Sequence, residues 1–240
     1  MTTADAVRAR LGPGRLLPLG RADGGAWLTE RAAEAVLARA AAGIDGVRPG
    51  LIRLALADPA TALPATVPAP PSALPYGPLR IEADFAADGA TLARQSLAAL
   101  GDTVRGALLT AARDTLDLEV AEVGLRLTDV LDDDSAEPAR PAEPDGGPRA
   151  VPPPGSPGDA ADPVAVAVAE AAGVAGLTGV LGEPVHRAPD GVRVECAVAA
   201  GHRPLAVVRA VRTAARRALG AERPVSVLVT AVESAAPGTP

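Results

Sequence analysis

The sequence predicts an α+β protein built from two tandem copies of a small two-layer α/β unit, joined by a Pro-rich linker. Three observations carry that expectation. Segments with apolar residues at helical spacing alternate with short aliphatic runs of strand character. A stretch dominated by Pro, Gly, Ala and acids, DDDSAEPARPAEPDGGPRAVPPPGSPGDAA at 132–161, parts the chain. Four blocks of wording recur in the same order on either side of it. AAGIDG (41–46) faces AAGVAG (171–176), and LRIEADFAA (79–87) faces VRVECAVAA (192–200). TAARDTLD (110–117) faces TAARRALG (213–220), and LRLTDV (125–130) faces VLVTAV (227–232). The expected organisation is a first unit at 1–131, a disordered linker at 132–161, a second and more diverged unit at 162–234, and a disordered tail at 235–240.

Taken in order, GGAWLT (24–29) offers a short opening strand, and Thr29 is an N-cap for a helix over 30–42. Ala33, Val36, Leu37, Ala40, Ala41 and Ile44 fall on one face of that helix, and Gly43 stops it. LIRLALA (51–57) and LRIEADFA (79–86) read as strands. Between them DPATALPATVPAPPSALPYGP (58–78) is a long Pro-rich loop packed on or draped over the first unit, read as a tolerated insertion with a functional loop as the alternative. Leu97, Leu100, Val104, Leu108, Ala111 and Leu116 mark a helix over 91–117, with Gly101 and Gly106 as places to kink or split it. EVGLRLTDV (122–130) closes the first unit as a strand.

In the second unit Asp162-Pro163 is a helix start, Asp as N-cap and Pro in the first turn. The alternation of VAVAVAEAAG also suits a strand, and the repeat decides for helix. VHRA (185–188), the turn Pro189-Asp190-Gly191 and VRVECAVA (192–199) form a hairpin. Val208, Val211, Ala215 and Leu219 mark a helix, and VSVLVTAV (225–232) a final strand. Each copy thus runs helix, strand, strand, helix, strand, and with the opening strand the order becomes βαββαβ, a split ferredoxin-like plan.

Composition bounds the chemistry. The chain has 240 residues, 48% of them hydrophobic, and a formal net charge of −6. That is enough apolar material for real cores, and with Trp27, Tyr76 and Phe85 as the only aromatics those cores must be aliphatic. Every basic side chain is Arg, and neither Lys nor Asn occurs, a bias that GC-rich codon usage accounts for. A lone Cys196 forms no internal disulfide. The N-terminus lacks the apolar run of a signal peptide, and no stretch is apolar for long enough to span a bilayer. A cytoplasmic protein is the expectation.

Catalytic and metal chemistry find little footing. Cys196 and His186 lie on paired hairpin strands, but a dyad needs an orienting group and a pocket, and Cys196 aligns with Ala83 as a small core residue. His186 and His202 read as surface residues near loop ends, and two His with one Cys make a poor zinc set. Asp132-Asp133-Asp134 reads as the solvated start of the linker, and Gly173, Gly176, Gly179 and Gly182 as turns leading from helix to hairpin. No catalytic, cofactor-binding or metal-binding residues are expected, and no cofactor. What remains is a surface feature: Arg209, Arg212 and Arg216 on one flank of the second unit's long helix, with Arg203 and Arg217 nearby. Such a row could meet phosphates, making a small-ligand or nucleic-acid binding module the alternative function. The negative net charge and the scarcity of aromatics for stacking weigh against nucleic acid.

The unit resembles the alkaline-shock-protein family, associated with cell-envelope stress response. The resemblance rests on WLTERAAEAVLARAAAGIDGV (27–47), LRIEADFA (79–86) and TAARDTLDLEVAEVGLRLTDVLD (110–132), with VAEAAGVAGL (168–177) opening the diverged copy. It implies small α/β domains without catalytic residues that act through protein–protein assembly, some held at the membrane by an anchored partner. For this chain it implies a non-enzymatic interaction or scaffold protein, peripheral at the inner face of the membrane, with a membrane-anchored paralogue as partner and scope for self-association. The chain departs from the family pattern in its two copies, the insertion at 58–78 and the linker. A duplication can itself occupy the surface through which a single copy would self-associate.

Overall fold

A computed structural model describes residues 14–131, 162–220 and 223–234; the expected linker and tail, and Asp132 to Asp134 with them, lie outside the described residues. The described chain is mixed α/β, with five helices and two mixed sheets. Its elements begin with β1 (Leu16–Pro18), β2 (Ala26–Thr29), α1 (Glu30–Ala42), β3 (Val47–Leu56) and β4 (Leu79–Asp88). Next come α2 (Gly89–Arg94), α3 (Leu97–Thr110), which runs on as a π-helical turn over Ala111–Thr115, and β5 (Val120–Leu131). The remaining elements are α4 (Pro163–Ala169), β6 (Val174–Leu177), β7 (Val185–Ala188), β8 (Gly191–Val198), α5 (Pro204–Leu219) and β9 (Val225–Val232).

Most elements obey the sequence logic. The Thr29 hydroxyl accepts from Ala32 N and caps α1, whose Ala33, Val36, Leu37 and Ala41 are buried. Asp162 caps α4 by accepting from Val164 N at 2.9 Å. The β7–β8 hairpin forms with the register His186 opposite Arg193. The helix expected over 91–117 breaks at Gln95 and Ser96, where the Ser96 hydroxyl accepts from Ala99 N and starts a new helix. Gly101 and Gly106 remain inside α3, because a missing Cβ weakens a helix without interrupting its hydrogen-bond ladder.

The two sheets belong to two compact units, and the division differs from a cut at residue 131. Described residues within 1–32, 63–76 and 148–240 form one unit, and those within 33–62 and 77–147 the other. In the first, the strand order is β1-β2-β9-β8-β6, with β7 pairing the other half of the same β8 edge that β6 uses. The opening strand expected in a βαββαβ unit does form, but β2 pairs with β9, in parallel and not with β5. All four of its residues are buried, so it needs a neighbour with two covered faces, which β9 supplies. Helix α5 lies on this sheet and against α4, burying Val207, Val208, Val211 and Ala215. The opposite face carries Trp27, Leu228 and Glu195 on one rung. Part of the Pro-rich loop covers it: Leu16 N donates to Ser72 O, Leu74 N to Leu16 O, and Tyr76 packs with Leu16, Trp27 and Leu228.

In the second unit β3, β4 and β5 form a three-stranded sheet, β3 antiparallel and β5 parallel to β4. Leu54, Ile81 and Phe85 are buried, as are Leu100, Val104 and Leu108 of α3, which packs against β5.

Certain internal geometry recurs between the sheets. β6, β8 and β9 pair in the same senses as β3, β4 and β5. Gly46 (φ 72°) precedes β3 and accepts from Asp88 N at 2.9 Å; Gly173 (φ 81°) precedes β6 and accepts from Ala199 N at 2.9 Å. The parallel ladder of each sheet skips a threonine, Thr128 in one and Thr230 in the other, and that of β4 and β5 skips Ala121 as well. Each of these threonines donates its hydroxyl to the carbonyl across the ladder, Thr128 to Phe85 O (3.2 Å) and Thr230 to Cys196 O (3.3 Å). Leucines 116 and 219 are each followed by a left-handed residue, Asp117 (φ 56°) and Gly220 (φ 62°). By position in the strand pairing, two details differ from the expected alignment. Gly173 corresponds to Gly46 and not to Gly43, so Gly176 lies within β6 and is no part of a turn. Cys196, last before the bulge, takes the place of Phe85 and not of Ala83.

Candidate interaction surfaces

Side chains with chemical potential in the sequence are dispersed by the fold. Cys196 is fully buried on β8 beside Val229, and burial, with the charge of Glu195 added, pushes its thiol up to about 12. His186 is exposed and pairs across the hairpin with Arg193. Cys196 lies three residues beyond Arg193 on that strand and so points from the opposite face. His202 is exposed, its Nδ1 3.3 Å from Ala200 O. Among the described residues no three His, Cys, Asp or Glu gather into a metal-binding set.

The Arg flank of α5 divides. Arg209 and Arg216 are exposed, whereas Arg212 is half-buried and its Nη1 donates to Gly24 O in the β1–β2 connection. Burial, with the neighbouring charge of Arg216, holds the Arg212 guanidinium below its ordinary value, and its Nε finds no partner among the described residues. Arg212 is thus a tie between helix and hairpin. Arg209 turns instead into a shallow groove of about 630 Å³ between α4 and α5, where it meets Arg217, Glu170 and Thr213 above an alanine floor. Arg216 stays outside that groove.

Sequence reasoning missed a buried polar set under the covered face of the six-stranded sheet. Glu195 has no exposed surface; its carboxylate accepts from Val180 N (2.6 Å), Leu181 N (3.0 Å) and Arg193 Nε (3.3 Å). Burial pushes this carboxyl above its usual range, and the two backbone amides pull against that shift. Beside it the hydroxyls of Thr178 and Thr230 lie 2.7 Å apart, and Thr29 Oγ1 donates to Thr230 O. The Tyr76 hydroxyl donates to Ala26 O and accepts from Ala26 N, and its ring tilts against Trp27 at 5.8 Å. The alternation in VRVECAV marks Arg193 and Glu195 as one face of a strand, which reads as a solvated face; the segment 178–184 that covers it is not signalled locally.

The three-stranded sheet is different, because its outer face is open. Arg53, Arg80, Glu82, Asp84, Glu122 and Arg126 share that face. Arg126 grips Asp84 through two 2.8 Å hydrogen bonds and holds its carboxyl below the usual range. Arg80 meets Glu82 at 3.2 Å and Glu122 at 4.0 Å. Leu51, 54% exposed, sits beside these charges at the rim of a shallow depression of about 350 Å³. Strand β5 is equally open along its edge, since among the described residues β4 is its only strand neighbour. What this arrangement offers is contact area bearing both signs of charge. Compared with known protein families, curated proteins and solved structures, the chain matches none.

Proposed function

We propose that this chain is a non-enzymatic cytoplasmic interaction or scaffold protein of the envelope-stress type, built by duplication of one α/β unit. The observation that carries the reading is a contrast between the sheets. On the six-stranded sheet the non-helical face is covered by the segments 63–76 and 178–184, and the outer edge of β9 is filled by β2. On the three-stranded sheet no strand or covering segment among the described residues lies on the corresponding face or on the corresponding edge, that of β5. A sheet surface left open where its counterpart is closed is suited to a macromolecular partner. The duplication draws support from the matching strand senses, the paired Thr128 and Thr230 bulges and the left-handed residues at Asp117 and Gly220. The burial of Cys196, the closed surroundings of Glu195 and the shallowness of the α4–α5 groove and of the depression beside Leu51 favour binding over chemistry. Attachment at the inner face through an anchored paralogue is part of this reading; no helix among the described residues is long and apolar enough to cross a membrane.

The test is a deletion strain examined under alkaline and cell-wall stress, combined with a photo-crosslinking residue placed at Leu51. The expected result is stress sensitivity and a crosslink to a membrane-anchored protein. A deletion without envelope phenotype, together with a chain that crosslinks to nothing at Leu51, would overturn the reading. A second reading, an anionic ligand held between Arg209 and Arg217, draws on the α4–α5 groove. It predicts binding that weakens steeply with salt and is lost in Arg209→Ala/Arg217→Ala.

A further inference from the structure

Two edges bound the three-stranded sheet, and they are not alike. On β3 the ladder with β4 is interrupted between Pro49 and Ile52. A proline without an N–H and a local irregularity are both devices that discourage further pairing. On β5 the stretch from Glu122 to Leu127 follows β4 without interruption and contains no Pro. Bulges at Ala121 and Thr128 bound that stretch, and beyond the second, Asp129 accepts from Val130 N at 2.9 Å. In the six-stranded sheet the edge equivalent to this one is occupied by a strand.

The sequence of β5, VAEVGLRLTDVL, is complementary to itself. In an antiparallel pairing about a twofold axis through Gly124, Glu122 of each copy stands opposite Arg126 of the other. Val123 stands opposite Leu125 on the face that packs toward α3. Moving the axis by one residue sets Glu122 against Gly124 or Thr128. Moving it by two sets Arg126, or Glu122, against its own image. Only the register centred on Gly124 therefore opposes unlike charges on the exposed face, at the positions where cross-strand pairs couple most strongly.

We infer that β5 is a homodimerisation edge, pairing antiparallel with β5 of a second copy in the register centred on Gly124 to give a continuous six-stranded intermolecular sheet. This rests on the reading of the three-stranded sheet as the interaction surface and adds the identity of one partner, a second copy of this chain. Two details fit the pairing. A side chain at Gly124 has room, its nearest neighbours being Ile81 O at 3.9 Å and Glu82 Cγ at 4.0 Å, so the position can be used as a probe. The native thiol, Cys196, is buried and does not compete with a probe cysteine.

The experiment uses the full chain. Sedimentation over a wide concentration range should show a reversible monomer–dimer equilibrium. Glu122→Arg and Arg126→Glu should each weaken the dimer by at least about tenfold, and the double exchange should restore it, since the pairs are re-formed with their signs reversed. Gly124→Cys should form a disulfide-linked dimer under oxidised glutathione, because the two positions are directly opposed. Ala121→Cys should not, since its two copies would lie about 20 Å apart at strand spacing. Circular dichroism and melting confirm that each variant is folded. A chain monomeric at every concentration would overturn the inference, as would a dimer indifferent to charge reversal or a crosslink at Ala121→Cys and none at Gly124→Cys. These failures are separate from failure of the scaffold reading, which the envelope phenotype and the Leu51 crosslink decide.

Discussion

Gly173→Ala should be among the most damaging single-methyl additions to this protein. Gly173 has φ 81°, and a Cβ there would lie 2.7 Å from Val207 Cγ2 and 2.7 Å from His202 Cδ2. The left-handed backbone alone costs an L-residue about 1–2 kcal/mol. The His202 ring is exposed and can swing away, but Val207 is buried on α5 and stiff at χ1, so relieving that contact displaces packed core at about 1–3 kcal/mol. The sum is roughly 2–5 kcal/mol. Gly201 and Gly220, in the same unit, have φ 78° and 62° with nothing within 4 Å of an added Cβ. Alanine at either should therefore show the backbone cost alone. Thermal and urea unfolding of the three variants separates the contributions, each kcal/mol moving Tm by about 4–8 °C for a domain of this size. His202→Ala in the Gly173→Ala background should recover little. If Gly173→Ala melts within a degree or two of Gly201→Ala, or if His202→Ala restores it, the assignment of the excess to Val207 is wrong.

Other outcomes follow from the same geometry. Asp117→Gly should stabilise the three-stranded unit by about 0.5–1 kcal/mol, since Asp117 holds a left-handed conformation (φ 56°) where the other helix ends in Gly220; a lower Tm would count against it. Asp162→Asn should keep the α4 cap but lose the pairing with Arg187 (2.5 and 2.7 Å), costing about 0.5–1 kcal/mol at neutral pH. The Arg187 guanidinium holds the Asp162 carboxyl below its usual value, so this stabilisation is complete above the unfolded pKa of about 3.9 and is lost as pH falls through the lower folded pKa. The difference between wild type and variant in acid titrations of stability should close over that window, and a constant difference down to the acid transition would contradict the pairing. Cys196, with its thiol raised to about 12, should resist a thiol reagent in the native state at neutral pH and react at once in denaturant; rapid native labelling would show the site to be open.

Most local structure could be read before the fold was known. The 3.6-residue spacing of Val36, Leu37 and Ala41, the Thr29 and Asp162 caps and the alternation in the strands each depend on a few neighbouring residues, and they appear where expected. Thr128 of LRLTDV and Thr230 of VLVTAV, which stand at the same place in the two blocks, each lie at a bulge. The candidate surface was less legible. Arg209, Arg212 and Arg216 share a helix flank by spacing, yet what each meets depends on the turn at Gly24 and on helix α4. Nothing in VRVECAV tells that Glu195 is roofed by the amides of Val180 and Leu181.

By itself, then, the sequence determined where helices start and stop, which faces are apolar and which segments resemble each other, since these follow from local periodicity and capping. Only the tertiary structure decided which strand lies beside which. β2, apolar on both faces, carries no local mark of its partner, and it joins β9 in place of the nearer β5. That choice rests on burial between residues some two hundred positions apart, and it leaves the edge of β5 without a further strand among the described residues.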